Sequence, residues 1–357
     1  MATRLITEIP VLVFSSALQE IKFSTDLDKI VVGLFAGDTK IYSVTIYSFG
    51  GVASVYDLRS IIDLYMRKND KTFTFFTVYY SDSNGTTLGN FNLNTLYCSI
   101  SIPIDPGIFA SHYFLTSLTS KRTCPHSTEL LSILHGAEDE SLRAYCTFIN
   151  NDNTTSSAFI DIEKVTTSDI DVRTFVIKYD DIVSQLASAG YRVAKLIAYS
   201  IVLGKRSFSY YVIDATPDVC FTFKNAFGVP EIVMLNAITT TKSKVERSIA
   251  MVKSQYSFYD QTLEKTYDIQ SSPLTEQETQ WIEQLAMSLD VRKGIADDLS
   301  TLPSVLITES TIEMTDSNTE PNRIKATWRY ADPLAHVNLI DIPSDRLHTE
   351  QFTHQYQ

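Results

Sequence analysis

Val55-Tyr-Asp-Leu-Arg-Ser-Ile-Ile-Asp-Leu64 and Lys178-Tyr-Asp-Asp-Ile-Val-Ser-Gln-Leu186 share a pattern in which Tyr and Asp precede an amphipathic run. Their tyrosines, Tyr56 and Tyr179, lie 179 − 56 = 123 apart. Weaker echoes follow in the same order. Cys98 and Cys220 differ by 122, Phe114-Leu and Met234-Leu by 120, and Tyr145 and Tyr267 by 122. A recurring spacing of this kind predicts two tandem copies of one domain. Each pattern opens a short helix with an acidic residue at its start, and the flanking segments read as strands. Lys40–Tyr47 alternates, with Tyr42, Val44 and Ile46 on one face. Thr72–Tyr80 also alternates, and its Phe75-Phe76 doublet calls for a bulge to keep phase. Ala158–Val165, Val172–Tyr179 and a hairpin through Gly204-Lys205 continue the pattern. The expected fold is mainly β. It comprises two tandem duplicated β-sandwich-like domains, residues 1–150 and 151–345, with short helical insertions and a polar tail at 346–357. One longer amphipathic helix is expected at 275–289, where Thr275 and Glu278 have capping-box spacing and Trp281, Ile282, Leu285, Ala286 and Leu289 share a face.

Composition narrows the function classes. A length of 357 residues suits about two domains, and 44% hydrophobic residues support real cores. The formal charge of −12 argues against nucleic acid as partner, since phosphate binding draws on Lys and Arg. From Gly294 to Asn322 there is no basic side chain before Arg323, while Asp297, Asp298, Glu309, Glu313, Asp316 and Glu320 fall in or beside that span. This acidic run is a candidate polar rim of an interface. No apolar window is long enough to predict membrane insertion. The N-terminus does not read as a signal peptide, because Glu8 and Pro10 interrupt it.

The sequence contains no nucleophile elbow, phosphate-binding glycine loop or HExxH. His112, Cys124, His126, His135 and Cys146 are the residue types that hold zinc, at spacings that match no zinc module. His112 is expected to pack beneath a Tyr113-Phe114 strand. Asp161 and Glu163 share a strand face and read as surface acids rather than a glycosidase pair. Tyr210, Tyr211 and Trp328 could stack a sugar but suit a β core equally. No catalytic residue, metal ligand or cofactor site is assigned, and the chain does not read as an enzyme.

Three short segments carry a resemblance. They are Pro106-Gly-Ile-Phe-Ala-Ser-His112, Asn225-Ala-Phe-Gly-Val-Pro-Glu231, and Val245-Glu-Arg-Ser248 followed by a Trp281 helix. Together they resemble a family found in phages and prophages of Bacteroides-type bacteria, over most of residues 20–340. Its members show an Asn-x-Phe-Gly-x-x-Glu run, then a Tyr- or Glu-Arg-Ser motif, then an Ala-x-x-Trp-type helix. Here Glu278 stands where the small residue of that helix motif is found. The resemblance implies a structural protein of the virion tail or baseplate, assembled in the host cytoplasm. Its partners would be copies of itself in a ring and other tail proteins. The ordered-tail candidates Phe352 and Tyr356 would join that contact. A carbohydrate-binding or adhesion module for host attachment is the alternative, and a hydrolase without a linear motif is a third reading.

Overall fold

The computed structural model describes residues 3–136, 139–166, 170–296, 299–314 and 320–332. The first sandwich runs through β1 (Arg4–Leu5), β2 (Val13–Phe14), β3 (Ile21–Ser24), β4 (Lys29–Ala36), β5 (Thr39–Tyr47) and β6 (Val52–Val55). It closes with α1 (Leu58–Lys68), β7 (Phe73–Ser81) and β8 (Thr87–Leu96). Alternation sends Ile30, Val32 and Leu34 of β4 and Phe76, Val78 and Tyr80 of β7 into one core. A smaller layer, β1-β3-β6, faces the larger one, β2-β8-β7-β4-β5, in which β2 runs parallel to β8. Leu58, Ile62 and Met66 recur every four residues, so α1 lays one stripe into that core. Two expectations need correction. Asp57 stands at the start of α1, but its carboxylate caps no amide. No bulge occurs at Phe75-Phe76, because Phe75 faces outward against Phe73 while Phe76 is buried.

After α2 (Pro106–His112) the second sandwich begins: β9 (Ser120–Thr123), β10 (Thr128–His135), β11 (Glu140–Asn150), β12 (Thr155–Val165) and β13 (Asp171–Lys178). It ends with α3 (Tyr179–Ser188), β14 (Val193–Leu203) and β15 (Arg206–Val212). Its sheet order, β12-β11-β14-β15-β9, repeats β5-β4-β7-β8-β2, including the parallel last pair. β10-β13 repeats β3-β6, and α3 follows β13 as α1 follows β6. The same element order therefore recurs over residues 13–96 and 120–212. This is not the expected division. Residue 150 lies at the turn of the β11–β12 hairpin, whose strands pair throughout. Of the sequence echoes only Tyr56/Tyr179 falls at matching elements. Cys98 follows β8 whereas Cys220 lies on a strand outside the second sandwich, as does Tyr267.

That third unit comprises β16 (Val219–Lys224), β17 (Pro230–Leu235), β18 (Ala237–Val252), β19 (Gln255–Ser271), α4 (Glu276–Met287), β20 (Val291–Lys293), β21 (Ser304–Glu313) and β22 (Arg323–Tyr330). They form one sheet in the order β17-β16-β20-β21-β22-β19-β18. Thr275 and Glu278 form the capping box in both directions, and α4 buries Trp281, Ile282 and Leu285. The helix stops at Met287, so Leu289 leaves the expected face and points to solvent. The tail from 346 lies outside the described residues.

All three units meet at the β16–β17 turn. The Asn225 Oδ1 accepts the amide of Phe227 (2.9 Å), while its Nδ2 donates to the Leu115 carbonyl (2.8 Å) and to Glu231 Oε2 (2.9 Å). Glu231 Oε1 accepts the Thr116 hydroxyl. The Ala226 amide donates to Gln284 of α4, and the Ala226 carbonyl accepts the Ser99 amide from the first sandwich. Phe227 fills a core shared with Phe14 and with Phe109 of α2. Gly228 is required here: its φ is +72°, and a Cβ would meet the Tyr97 ring at 3.3 Å. Replacing Asn225 leaves several buried polar groups without partners, which costs far more than one average hydrogen bond. Asn225→Ala should lower unfolding free energy by about 2–4 kcal/mol, read from denaturant midpoints; a loss below about 1 kcal/mol contradicts this role for the turn.

Candidate assembly interface

The β18–β19 hairpin is longer than the sheet that holds it. Only Tyr267–Gln270 of β19 pair with β22, so residues 242–266 continue alone. Eleven residues of β18, from Lys242 to Val252, project about 35 Å at the usual strand rise. Lys253 and Ser254 turn the chain with φ of 50° and 63°, the left-handed pair that suits a two-residue hairpin loop.

Register determines what the arm presents. Val245 pairs with Leu263, Arg247 with Gln261, Ile249 with Phe258 and Met251 with Tyr256, and directly paired residues share a face. The opposite face carries Lys244 with Glu264, Glu246 with Thr262, and Ser248 with Asp260. The arm is thus apolar on one side and polar on the other. The apolar side continues, through Tyr267 and Ile269, the face that packs on Trp328 in the core. Beyond the body none of the described residues covers it: Ile249, Met251, Phe258 and Tyr256 are 58%, 61%, 60% and 76% exposed. Arg247 lies over the Phe258 ring at 5.1 Å. Tyr259 is the extra residue of a bulge between the Ser248 and Ile249 pairings. A lone two-stranded ribbon is only marginally stable in water, and a contiguous apolar face of this size marks an interaction site.

A cleft lies where α1 and the chain after β8 meet the third unit. It encloses about 350 Å³, lined by Met66, Tyr97, Ile100, Gly228, Met287 and Leu289 among others. Arg67, Lys71 and Lys224 are its cations. Lys224 pairs with Asp70 and Asp290, and Arg67 with Asp63.

The sequence-chosen residues fall elsewhere. Glu309 and Glu313 lie exposed on β21, with Glu313 bound to Lys325 at 3.0 Å, and Glu320 is exposed. Asp297, Asp298, Asp316, Phe352 and Tyr356 lie outside the described residues. The five histidine and cysteine candidates are dispersed. Cys146 is sealed in the second core, its thiol pushed up to about 12 by burial. His135 is buried near Glu140 and Arg206, and burial holds its pKa below the usual value. Cys124 faces Met234. His126 bonds Asp180 at the surface. His112 ends α2, exposed and within hydrogen-bond distance of the Ile108 carbonyl, so it does not pack beneath Tyr113-Phe114, and that pair forms no strand. Asp161 and Glu163 are exposed and paired with Arg143 and Arg173. Tyr210 and Trp328 are core, while Tyr211 is exposed.

One buried ion pair escaped sequence reading. Lys121 on β9 meets Glu129 on β10 at 2.5 Å, donates to the Ile232 carbonyl at 2.7 Å, and lies beside the Tyr210 and Trp281 rings. Thr123 donates to the other carboxylate oxygen. Burial pushes the Glu129 carboxyl upward and the Lys121 charge opposes that shift. The adjoining cavity holds only about 60 Å³, room for water rather than a substrate. The pair joins the second sandwich to the third unit. No helix among the described residues is long and apolar enough to cross a membrane.

No protein-family model matches the chain, and no curated protein does. Among solved structures, native Escherichia coli alpha-2-macroglobulin matches at 8% identity and a TM-score of 0.21, over 75% of this chain and 21% of that one. The same protein activated by porcine elastase matches at 8% identity and a TM-score of 0.20, over 77% and 30%. The chain thus spans less than a third of either, and so loose a match assigns neither family nor function.

Breaking a buried pair on one side costs more than removing both charges. Lys121→Met should therefore destabilise the chain by about 3–5 kcal/mol, with Lys121→Met/Glu129→Leu recovering most of the loss. A double variant no more stable than the single one would contradict this.

Proposed function

We propose that the chain is a structural subunit of a bacteriophage tail, in the tip, the distal tail or the baseplate, and acts through protein–protein assembly rather than catalysis. The observation that supports this reading most is the arm, whose apolar face has no partner among the described residues. Tail subunits pack in symmetric arrays in which one contact is used many times, and a projecting ribbon reaches a neighbour without disturbing the body. The family resemblance agrees: its Asn-x-Phe-Gly-x-x-Glu run builds the turn that joins the three units, and its Glu-Arg-Ser motif lies on the arm. Partners would be copies of the chain and other tail proteins, in the virion tail.

The carbohydrate-binding alternative rests on Tyr145 and Phe159, which are exposed side by side on β11 and β12 at 4.7 Å between ring centroids. Such a pair could hold one sugar face. It covers far less surface than the arm.

The test uses a phage that encodes the chain. Ile249→Asp/Phe258→Asp alters only solvent-facing side chains, so the isolated variant should unfold within about 0.5 kcal/mol of the parent. Purified particles should contain the parent chain by mass spectrometry, and the variant should yield few infectious particles. Virions that lack the chain, or a variant that assembles normally, would overturn the proposal.

A further inference from the structure

Which surface covers the arm can be narrowed by charge, direction and shape. Residues 242–265 carry five basic side chains (Lys242, Lys244, Arg247, Lys253, Lys265) against three acidic ones (Glu246, Asp260, Glu264), a net of +2. With −12 for the whole chain, the remainder carries −12 − 2 = −14. The arm is therefore a basic projection from an acidic body. Opposite net charge steers the arm of one molecule toward the body of another and disfavours contact between two arms.

Strand polarity then places the arm and the cleft. β16, β21 and β19 run one way in the seven-stranded sheet, and β20, β22 and β18 run the other. The cleft collects Lys224, at the finish of β16, and Asp290, just before β20, so it opens at one end of the strands. The arm leaves at the opposite end, where β19 starts and β18 finishes. β18 is one edge of that sheet, and β16 lies next to the other. The two features thus face away from each other, and an extended ribbon cannot turn back to reach its own cleft.

Their surfaces also fit. The cleft offers about 350 Å³ rimmed by Met287 and Leu289, which are 75% and 87% exposed at the end of α4. Apolar pockets of a few hundred Å³ accept groups the size of one or two large side chains. With Lys224 and Arg67 held in ion pairs and Met66, Met287 and Leu289 on its walls, the cleft can receive apolar groups such as Tyr256 and Met251 of an arm tip. The exposed apolar face of the arm covers on the order of 600 Å², so its burial with a matching area of the receiving molecule exceeds the ~1,000 Å² that a specific interface needs.

Resting on the assembly reading, we infer that the arm's partner is a second copy of this chain, and that the tip of each arm seats in the cleft between the first sandwich and α4 of the next copy. The contact is head-to-tail. Repeated, it generates a ring if the rotation closes and a filament if it does not.

A mixing experiment on the full chain tests this. Variant one, Tyr256→Asp/Phe258→Asp, disables the arm; variant two, Met287→Asp/Leu289→Asp, disables the cleft. All four side chains face solvent, so both proteins should fold, as circular dichroism and melting would verify. Sedimentation should show the parent chain self-associating at micromolar concentration and each variant alone weakened by about thirtyfold or more. An equimolar mixture should form a one-to-one dimer and nothing larger, because a single intact arm and a single intact cleft remain between the two proteins. A monomeric parent, a cleft variant that associates like the parent, or a mixture that stays monomeric would each overturn the inference. If the arm substitutions nonetheless abolished particle assembly, the assembly reading would stand with a different partner; if they did not, both would fall.

Discussion

The side chain of Asn225 holds a turn where the first sandwich meets the second sandwich and the third unit, which share one continuous core. Its carbonyl oxygen fixes the turn, its amide reaches the segment entering the second sandwich, and Glu231 completes the link through Thr116. A buried amide and carboxylate are stabilising only when every group is met, since each orphaned group costs about 1–3 kcal/mol. The geometry of the junction is therefore tightly specified. Phe227 adds the apolar half of the same lock by reaching the rings of Phe14 and Phe109. With the turn in place, the two sandwiches are braced against the third sheet, and the arm at that sheet's far end has a fixed base.

Much of the fold is legible in the chain. The strand β5, whose alternation puts Tyr42, Val44 and Ile46 on one face, and the capped helix α4 follow directly from spacing. The Phe75-Phe76 doublet misleads because an outward Phe beside an inward one resembles a phase slip. Sequence similarity placed the domain boundary wrongly for a different reason. Hydrophobic alternation matches itself at many offsets, so Cys98 and Cys220 can align although Cys98 follows β8 and Cys220 lies within β16. The recurrence that does exist is in sheet order, which depends on long-range pairings that no local pattern carries.

The candidate interface was largely hidden. From Val245 to Phe258 the arm alternates as a buried strand does, because periodicity reports which residues share a face and is silent about what covers that face. Arg247 and the bulge at Tyr259 further break the pattern. The usable signal was length: two runs of about sixteen residues around Lys253-Ser254 exceed the five or six of an ordinary strand. The acidic stretch drew attention through its lack of basic residues. Lys325, three residues past the end of that stretch, neutralises Glu313 across the β21–β22 pair.

On the assembly proposal, the apolar face of the arm is bare in the free chain and covered on assembly. Backbone hydrogen exchange over residues 242–266, compared between the isolated protein and purified particles or self-associated protein, measures this directly. Fast exchange along the arm in the free chain, slowed by at least about tenfold on assembly while β4 and β11 stay unchanged, is the expected result. Equal exchange in the two states would contradict the account.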